Sequence, residues 1–124
     1  MTWSEIGKSS LKAAKRTLND YPRSSASRAY YAAHVVLAES LAKAGYLPPF
    51  ERQTPPHSRQ ATLVSSHLSQ MGPARVRELQ SAVRRLYSRR LDADYNQRVT
   101  VDPPTARECL RDASTVFKLL GVEE

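Results

Sequence analysis

Apolar residues recur at spacings of three, four and seven along most of the chain, and prolines separate the segments that show this period. A period of this kind places the apolar side chains on one face of an α-helix. Between the prolines the sequence is rich in Ala, Leu, Arg, Glu and Gln, with no alternating β-branched run. The pattern therefore predicts five helices, at about 3–19, 24–44, 57–70, 73–91 and 103–120.

Residues typical of helix ends accompany these segments. The pair Ser24 and Ser25 opens the second predicted helix, and Gly45 closes it. Asp102 is a good N-cap for the fifth helix, in which Pro103 takes the first helical position. The helix boundaries predicted from the apolar period therefore agree with the capping residues.

Two segments lack the helical period. Residues 46–56 contain four prolines and predict an irregular connection, and residues 92–102 are polar and predict a second one. With 124 residues the chain is the size of one domain. We therefore expect an all-α fold in a single domain over residues 1–124, an antiparallel up-and-down bundle of four long helices plus a shorter fifth.

The chain is strongly basic. Its formal net charge is +7, and fourteen of its 19 basic residues are arginines. A guanidinium group binds phosphate through two parallel hydrogen bonds, so this excess fits a polyanionic partner such as RNA. The alternative is that the arginines follow the codon preference of a GC-rich genome and lie in solvent. Charge alone leaves both interpretations open, because it governs non-specific attraction and not fold.

Composition and motifs exclude several classes of protein. The single cysteine, Cys109, rules out an internal disulfide framework and a multi-cysteine zinc site. No apolar run approaches the roughly 20 residues of a membrane helix, and the N-terminus lacks the apolar core of a signal peptide. Glycine-rich phosphate loops and common hydrolase motifs are absent. We expect a cytoplasmic protein with no membrane contact, no cofactor and no metal.

The three histidines occupy different settings. His34 lies on the apolar face of the second helix, which predicts a packed, hydrogen-bonded side chain. His57 opens the third helix beside Arg59, where a helix cap and a phosphate contact are equally compatible with the sequence. His67 is expected to be partly buried.

The densest basic segment is residues 73–98, which hold seven arginines against three acidic residues. Arg85 and Arg89 are four residues apart and share a helix face. Arg90 differs from them because it lies at the edge of the buried face, where it must meet a carboxylate, a partner subunit or a phosphate. The simplest structural role for Arg90 is an ion pair with Asp94, one turn further along the helix.

Two motifs together resemble a known family. The first is SRAYYAAH at residues 27–34, and the second is LYSRRLDADY at residues 86–95, with the pair His57 and Ser58 between them. The pattern resembles the HEPN superfamily and, within it, a small stand-alone subfamily with an R-x-x-A-D-Y signature. The resemblance implies a dimeric helical bundle of the toxin type, from toxin–antitoxin or antiphage modules. Many such proteins are metal-independent endoribonucleases and pair with a minimal nucleotidyltransferase antitoxin.

The resemblance also implies a composite site across the dimer, built from an arginine and a histidine four to six residues later in each protomer. Arg90 aligns with the arginine, but Tyr95 stands where the histidine is expected. A tyrosine has a pKa of about 10 and a histidine about 6.5, so tyrosine is a poor base at neutral pH. The predicted catalytic residues are Arg90, Asp94 and Tyr95. The predicted phosphate- or RNA-binding residues are Arg85, Arg89, His57 and Arg28.

The departure from the motif leaves several functions open. The protein is a weak nuclease, a nuclease that recruits His34 or His57 as its acid–base group, or a non-catalytic binder of RNA or nucleotides. A further alternative is a helical adaptor that pairs with a minimal nucleotidyltransferase and in which the Arg90–Asp94 pair is purely structural. An Arg90→Ala variant separates these functions, because it removes activity in the first group and only stability in the last.

Overall fold

The computed structural model describes residues 1–48 and 54–124. The described residues contain helices and no strand, which confirms the predicted all-α class. Four helices have 15 to 23 residues and one has eight. The helices are α1 (Trp3–Thr17), α2 (Pro22–Lys43), α3 (Gln60–His67), α4 (Pro73–Tyr95) and α5 (Pro103–Leu119).

Three of the predicted helix ends are confirmed in detail. Asp102 caps α5, and its Oδ1 accepts hydrogen bonds from the Thr105 backbone N–H at 2.9 Å and the Thr105 hydroxyl at 2.7 Å. Pro73 opens α4 directly after Gly72, whose φ of 94° is in the left-handed region that favours glycine. Gly45, with φ 95°, follows the end of α2 in the same way.

The predicted start of α2 is wrong by two residues. The helix begins at Pro22, because a proline fits the first helical turn without losing a hydrogen bond. Ser24 and Ser25 therefore lie inside the helix and do not cap it. Ser25 is fully buried, and its hydroxyl donates to the carbonyl oxygen of Ala14 at 2.6 Å, which ties α2 to α1.

The third predicted helix is shorter than expected. A 3-10 turn over His57–Arg59 precedes α3, and a second 3-10 turn over Ser69–Met71 follows it. The predicted irregular connection at 46–56 is described only in part: residues 46–48 and 54–56 are not helical, and residues 49–53 lie outside the described residues.

The predicted end of the fourth helix is also wrong. α4 continues to Tyr95, one turn beyond the expected residue 91. The reason is Arg23, whose guanidinium donates to the carbonyl oxygens of Asp92 at 3.0 Å and Ala93 at 3.1 Å. It donates to Asn96 at 3.2 Å and also to Val99. A cation at a helix C-terminus satisfies the last carbonyls and interacts favourably with the helix dipole.

The core is built around α2, which packs against α1, α4 and α5. α1 and α2 approach closely at Gly7, where a Cβ atom would lie 2.6 Å from Val36 Cγ2 and 3.1 Å from the Ala32 carbonyl oxygen. α3 packs against α4. Cys109 of α5 is buried, and burial raises the pKa of its thiol to about 11. None of the helices in the described ranges combines the length and the apolar character needed to cross a membrane.

Candidate functional site

A cleft of about 590 Å³ opens where α2 faces the C-terminal half of α4. Three arginines line it against one aspartate, so the cleft is electropositive. One residue comes from the 3-10 turn before α3, and the others come from α2 and α4. The lining residues are Arg23, Ser24, Ser27, Arg28, Tyr30, Tyr31, His57, Arg90, Ala93 and Asp94.

Arg90 is held on several sides. Its Nε lies 3.0 Å from Asp94 Oδ2, so the ion pair expected from the i, i+4 spacing is formed. Its guanidinium carbon lies 5.7 Å from the centre of the Tyr30 ring and 5.2 Å from the centre of the Tyr95 ring. Both distances are within the range of a cation–π interaction. The Arg90 side chain is 23% exposed, so part of the group remains open to the cleft.

Asp94 links the two helices that form the cleft. The same Oδ2 that pairs with Arg90 accepts a hydrogen bond from the Ser27 hydroxyl of α2 at 3.2 Å. A carboxylate between a guanidinium and a hydroxyl orients both groups. Asp94 therefore positions Arg90 against α2. The position of Asp94 in turn depends on the last turn of α4, which Arg23 stabilises.

Tyr95 is the last residue of α4 and is 71% exposed. Its hydroxyl is 3.5 Å from Arg90 Nη2. On its outer side a second hollow of about 450 Å³ is lined by Arg23, Asp94, Tyr95, Asn96 and Gln97. Because α4 extends to Tyr95, the structure brings the predicted catalytic set Arg90, Asp94 and Tyr95 together at the end of one helix.

A hydrogen-bonded chain of four side chains runs from the cleft into the core. The Tyr30 hydroxyl contacts His57 Nδ1 and accepts from Gln60 Nε2 at 2.9 Å. Gln60 Nε2 also donates to the His57 carbonyl oxygen at 2.9 Å. Gln60 Oε1 lies 2.8 Å from His34 Nδ1. We call this set, His57, Tyr30, Gln60 and His34, the buried chain.

The buried chain fixes the tautomer of His34. Two acceptors face Gln60 Nε2, so the amide cannot be reversed, and its Oε1 must accept a hydrogen from His34 Nδ1. His34 is only 2% exposed, which confirms the predicted packed and hydrogen-bonded side chain. Burial, with smaller contributions from His57 and Arg90, lowers the pKa of His34 to about 4. His34 is therefore neutral at pH 7, with its hydrogen on Nδ1.

Three aromatic rings, one from the cleft lining and two from beneath it, pack around His57. The His57 and His34 rings stack with their centres 4.3 Å apart, and His57 lies parallel to Tyr87 at 6.3 Å. Tyr30 packs beside the same rings, 5.6 Å from His57 and 5.9 Å from Tyr87. Burial raises the pKa of the Tyr30 hydroxyl well above its ordinary value, so it keeps its proton at neutral pH.

The predicted phosphate-binding residues fall into two groups. Arg28 and His57 line the cleft together with Arg90. Arg85 and Arg89 do not, because both point to α5, where Arg85 Nη2 lies 2.9 Å from Asp112 and Arg89 Nη2 lies 3.5 Å from Glu108. Their role in binding phosphate stays a prediction, and the structure does not place them with the other candidates.

His67 lies outside this cleft. Its predicted partial burial is confirmed, and its ring contacts the Tyr46 ring edge to face, with the two ring centres 5.3 Å apart.

Sequence reasoning missed three residues that shape the site. Tyr30 belongs by its spacing to the apolar face of α2, and its hydroxyl group gives no separate signal. Arg23 resembles the other arginines in sequence, because its carbonyl partners lie about seventy positions away. Gln60 gives no signal in the sequence either. Its spacing of three residues from His57 indicates a contact only once both residues are known to lie on one helical turn.

Across residues 1–48 and 54–124, no group of three His, Cys, Asp or Glu side chains could hold a metal ion.

In a comparison with protein families, a model of the HEPN domain matches residues 1–124. The chain therefore belongs to the HEPN domain family. A comparison with curated proteins finds no match, and a comparison with solved structures finds none either. At the level of the family, the HEPN domain suggests a nuclease, RNA-related or toxin-like role.

Proposed function

We propose that this HEPN-domain protein acts on RNA at the cleft between α2 and α4, as a metal-independent endoribonuclease or an RNA-binding protein of the toxin type. The observation that carries the proposal is the position of Arg90. Its guanidinium is aligned by Asp94 and two tyrosine rings, and its exposed part faces a cleft that Arg28 and Arg23 also line. A pre-oriented arginine in a positive cleft suits a phosphodiester, because the donors need no rearrangement when the anion binds.

The cleavage chemistry follows from this geometry. The 2′-hydroxyl of a ribose attacks the adjacent phosphorus, and negative charge increases on the phosphoryl oxygens. Arg90 neutralises that charge, and Asp94 keeps the guanidinium in its orientation. Arg28 is exposed at the cleft and binds a neighbouring phosphate. Tyr95, exposed beside Arg90, stacks on a base or donates its hydroxyl hydrogen to the phosphate.

We propose further that two copies of the chain form a homodimer that joins two such clefts into a composite site. Exposed apolar or aromatic side chains around Arg90 support this: Leu91 is 38% exposed, Tyr31 39% and Tyr95 71%. Aromatic residues are enriched at protein interfaces. Light scattering coupled to size exclusion tests the dimer, with Leu91→Glu as the disrupting variant.

The biological setting that we propose is a toxin–antitoxin or antiphage module in the cytoplasm. Family membership supports it. The partner would be a minimal nucleotidyltransferase acting as antitoxin. Co-expression with the product of the adjacent reading frame tests this: relief of growth arrest and co-purification are expected, and a neighbour unrelated to nucleotidyltransferases contradicts it.

The experiment on the site itself compares three proteins. Wild type, Arg90→Ala and Arg84→Ala are incubated with RNA in a chelator, and their expression is tested for growth arrest. Arg84 is a suitable control because it is exposed on the same helix and does not line the cleft. We expect Arg90→Ala to lose cleavage and toxicity and Arg84→Ala to keep both. Equal toxicity of all three proteins contradicts the proposal.

Two observations favour a second function, that of a non-catalytic adaptor or nucleotide binder. Arg90 already has a carboxylate partner, and Tyr95 stands in the place of an acid–base histidine. In this case Arg90→Ala lowers the melting temperature by a few degrees and changes no RNA affinity. RNA affinity that falls steeply with salt counts against the adaptor.

A further inference from the structure

The second hollow, on the outer side of Tyr95, has no ligand in the chemistry proposed above. We call it the outer hollow. Two of its lining residues, Arg23 and Asp94, also line the cleft of Arg90, so the outer hollow and the cleft share a wall. A nucleotide whose phosphate lies in the cleft therefore has the outer hollow directly beside it. The residues that line the outer hollow are Arg23, Asp94, Tyr95, Asn96 and Gln97.

We infer that the outer hollow binds the base of a nucleotide whose phosphate lies at Arg90, and that it favours bases with a carbonyl group beside a ring N–H. In RNA these bases are guanine and uracil. The inference rests on the proposed action on RNA and names the nucleotides that the site selects. Tyr95 is the stacking surface, and Asn96 and Asp94 bind the edge of the base.

Tyr95 offers an aromatic surface to the outer hollow. The Arg90 guanidinium carbon lies over its ring, 5.2 Å from the ring centre. Tyr95 is nevertheless 71% exposed, and it lines the outer hollow, which Arg90 does not. An aromatic ring stacks on any base, because every base has a π-face. Tyr95 therefore holds a base next to the phosphate site, and the selection among bases must come from other groups.

Asn96 supplies hydrogen-bond donors to the outer hollow. Its Oδ1 accepts a hydrogen bond from the Arg98 backbone N–H at 3.1 Å. Only the oxygen of a side-chain amide can accept from an N–H, so the amide has one possible orientation. Its Nδ2 group has no hydrogen-bond partner in the described part of the chain. The two hydrogens of Nδ2 are thus available to a ligand in the hollow that Asn96 lines.

Asp94 supplies an acceptor to the same hollow. Its Oδ2 accepts from the Ser27 hydroxyl and pairs with Arg90, which fixes the position of the carboxylate. The Asp94 side chain is still 30% exposed. An ionised carboxylate has about four lone-pair positions, so these two contacts leave it able to accept further hydrogen bonds. The outer hollow therefore combines the donor of Asn96 with the acceptor of Asp94.

The four bases differ in what they present to such a pair of groups. Guanine and uracil carry a carbonyl oxygen at the position where adenine and cytosine carry an amino group. Beside that position, guanine and uracil have a ring N–H, whereas adenine and cytosine have a ring nitrogen with a lone pair. Asn96 Nδ2 can donate to the carbonyl oxygen while Asp94 accepts from the ring N–H. With adenine or cytosine, donor faces donor and the carboxylate faces a lone pair.

The test measures the affinity of the full-length protein for short single strands made with 2′-deoxy sugars, which have no 2′-hydroxyl to start cleavage. One pair of strands carries uracil or cytosine, and a second pair carries hypoxanthine or adenine. Within each pair the bases differ only at the carbonyl or amino group and the ring nitrogen beside it. Wild type should bind the carbonyl-bearing strand of each pair about 10-fold more tightly.

Substitutions at the two residues separate stacking from selection. Tyr95→Ala should weaken binding of all the strands by about 5–100-fold, and Tyr95→Phe should not, because stacking needs the ring and not the hydroxyl. Asn96→Asp keeps the oxygen that accepts from Arg98 but removes the donor, so the ratio of affinities within each pair should fall toward one. Gln70→Glu makes the same charge change at an exposed position outside the cleft and the outer hollow, and should keep the wild-type ratio.

The outcomes distinguish failure of the inference from failure of the proposed function. Equal or reversed affinities within the pairs, while Arg90→Ala still weakens binding, overturn the inference and leave the proposed function standing. The inference is also overturned if Tyr95→Ala binds like wild type, or if Asn96→Asp keeps the wild-type ratio. A wild-type protein that binds none of the strands contradicts the proposed function, and the inference with it.

Discussion

Protonation of His34 should destabilise the fold, and the pH at which this happens follows from its surroundings. His34 is 2% exposed and stacks on His57, and it donates one hydrogen bond to Gln60. In the described part of the chain its Nε2 is buried and has no hydrogen-bond partner. A proton added at Nε2 would place a charge in an apolar site near His57 and Arg90. We therefore expect acid to unfold the protein partly through this single residue.

The magnitude follows from the pKa of His34, which burial lowers from 6.5 to about 4. One pKa unit corresponds to about 1.4 kcal/mol, so the full effect is about 3 kcal/mol. The unfolded chain takes up the proton below about pH 6.5 and the folded chain only below about pH 4. The free energy of unfolding is thus highest above the unfolded-state pKa, and it falls as the pH drops through this window.

The assay is urea unfolding followed by circular dichroism at several values between about pH 7.5 and about pH 4.5. Wild type is compared with His34→Gln, which cannot be protonated in this range, and with His67→Gln as a matched control. Carboxylates titrate equally in all three proteins, so the difference isolates the histidine. As the pH falls across this range, the free energy of unfolding of wild type and of His67→Gln should each decrease by about 2.5 kcal/mol more than that of His34→Gln.

The reasoning is refuted if His34→Gln loses as much stability in acid as wild type. That result would mean that His34 takes up its proton in the folded protein near its ordinary pKa. A nuclear magnetic resonance titration in which the His34 ring signals shift near pH 6.5 would independently contradict the lowered pKa.

Three further changes test the packing that supports the site. Arg23→Met should lower the free energy of unfolding by about 2–4 kcal/mol, since it removes charged hydrogen bonds to the end of α4. Hydrogen exchange of the backbone amides at 96–99 should become faster in this variant. Gly7→Ala should cost about 1–3 kcal/mol in urea unfolding, because its Cβ meets Val36 and the Ala32 carbonyl oxygen. Asp102→Ala should cost about 1 kcal/mol in a thermal melt through loss of the α5 cap.

Each of these changes has a matched control. Arg16→Met removes an exposed arginine of α1 and should be nearly neutral. Ser9→Ala leaves an alanine at an exposed position of the same helix, where its Cβ meets no neighbour, and should not destabilise the protein. Asp102→Asn keeps a capping oxygen and should retain most of the stability. If a control variant loses as much stability as the variant it is matched to, the contact named for that variant is not the cause of its loss of stability.

The helices were predictable because their signals are local. The apolar period, the prolines and the residues at helix ends such as Asp102 and Gly45 act over a few residues, so the all-α class and most helix positions follow from them. The end of α4 was not predictable in this way. Residues 92–95 include two aspartates and give only a weak apolar signal, and the helix continues through them because Arg23, far away in the chain, satisfies the carbonyl oxygens of Asp92 and Ala93. Tertiary contacts of this kind leave no local pattern.

The site was predictable in part. Arg90 stood out by its place at the edge of the buried face, and its ion pair with Asp94 follows from helical spacing alone. The buried chain was not predictable, because His57 and Gln60 reach Tyr30 and His34 across a gap of some thirty residues in sequence. Arg85 and Arg89 carry the same charge as Arg90, but their spacing does not reveal that α5 offers carboxylates to them.

The most direct test of phosphate binding by Arg90 is the salt dependence of RNA affinity for wild type, Arg90→Ala and Arg84→Ala. A single strand contributes a slope of about −0.7 in log K against log salt for each phosphate contact. If Arg90 binds phosphate in the cleft, Arg90→Ala should weaken binding and flatten the slope by about 0.7, while Arg84→Ala changes neither. Wild type that fails to bind RNA at low salt, or identical slopes for wild type and Arg90→Ala, would contradict a phosphate-binding role for this cleft.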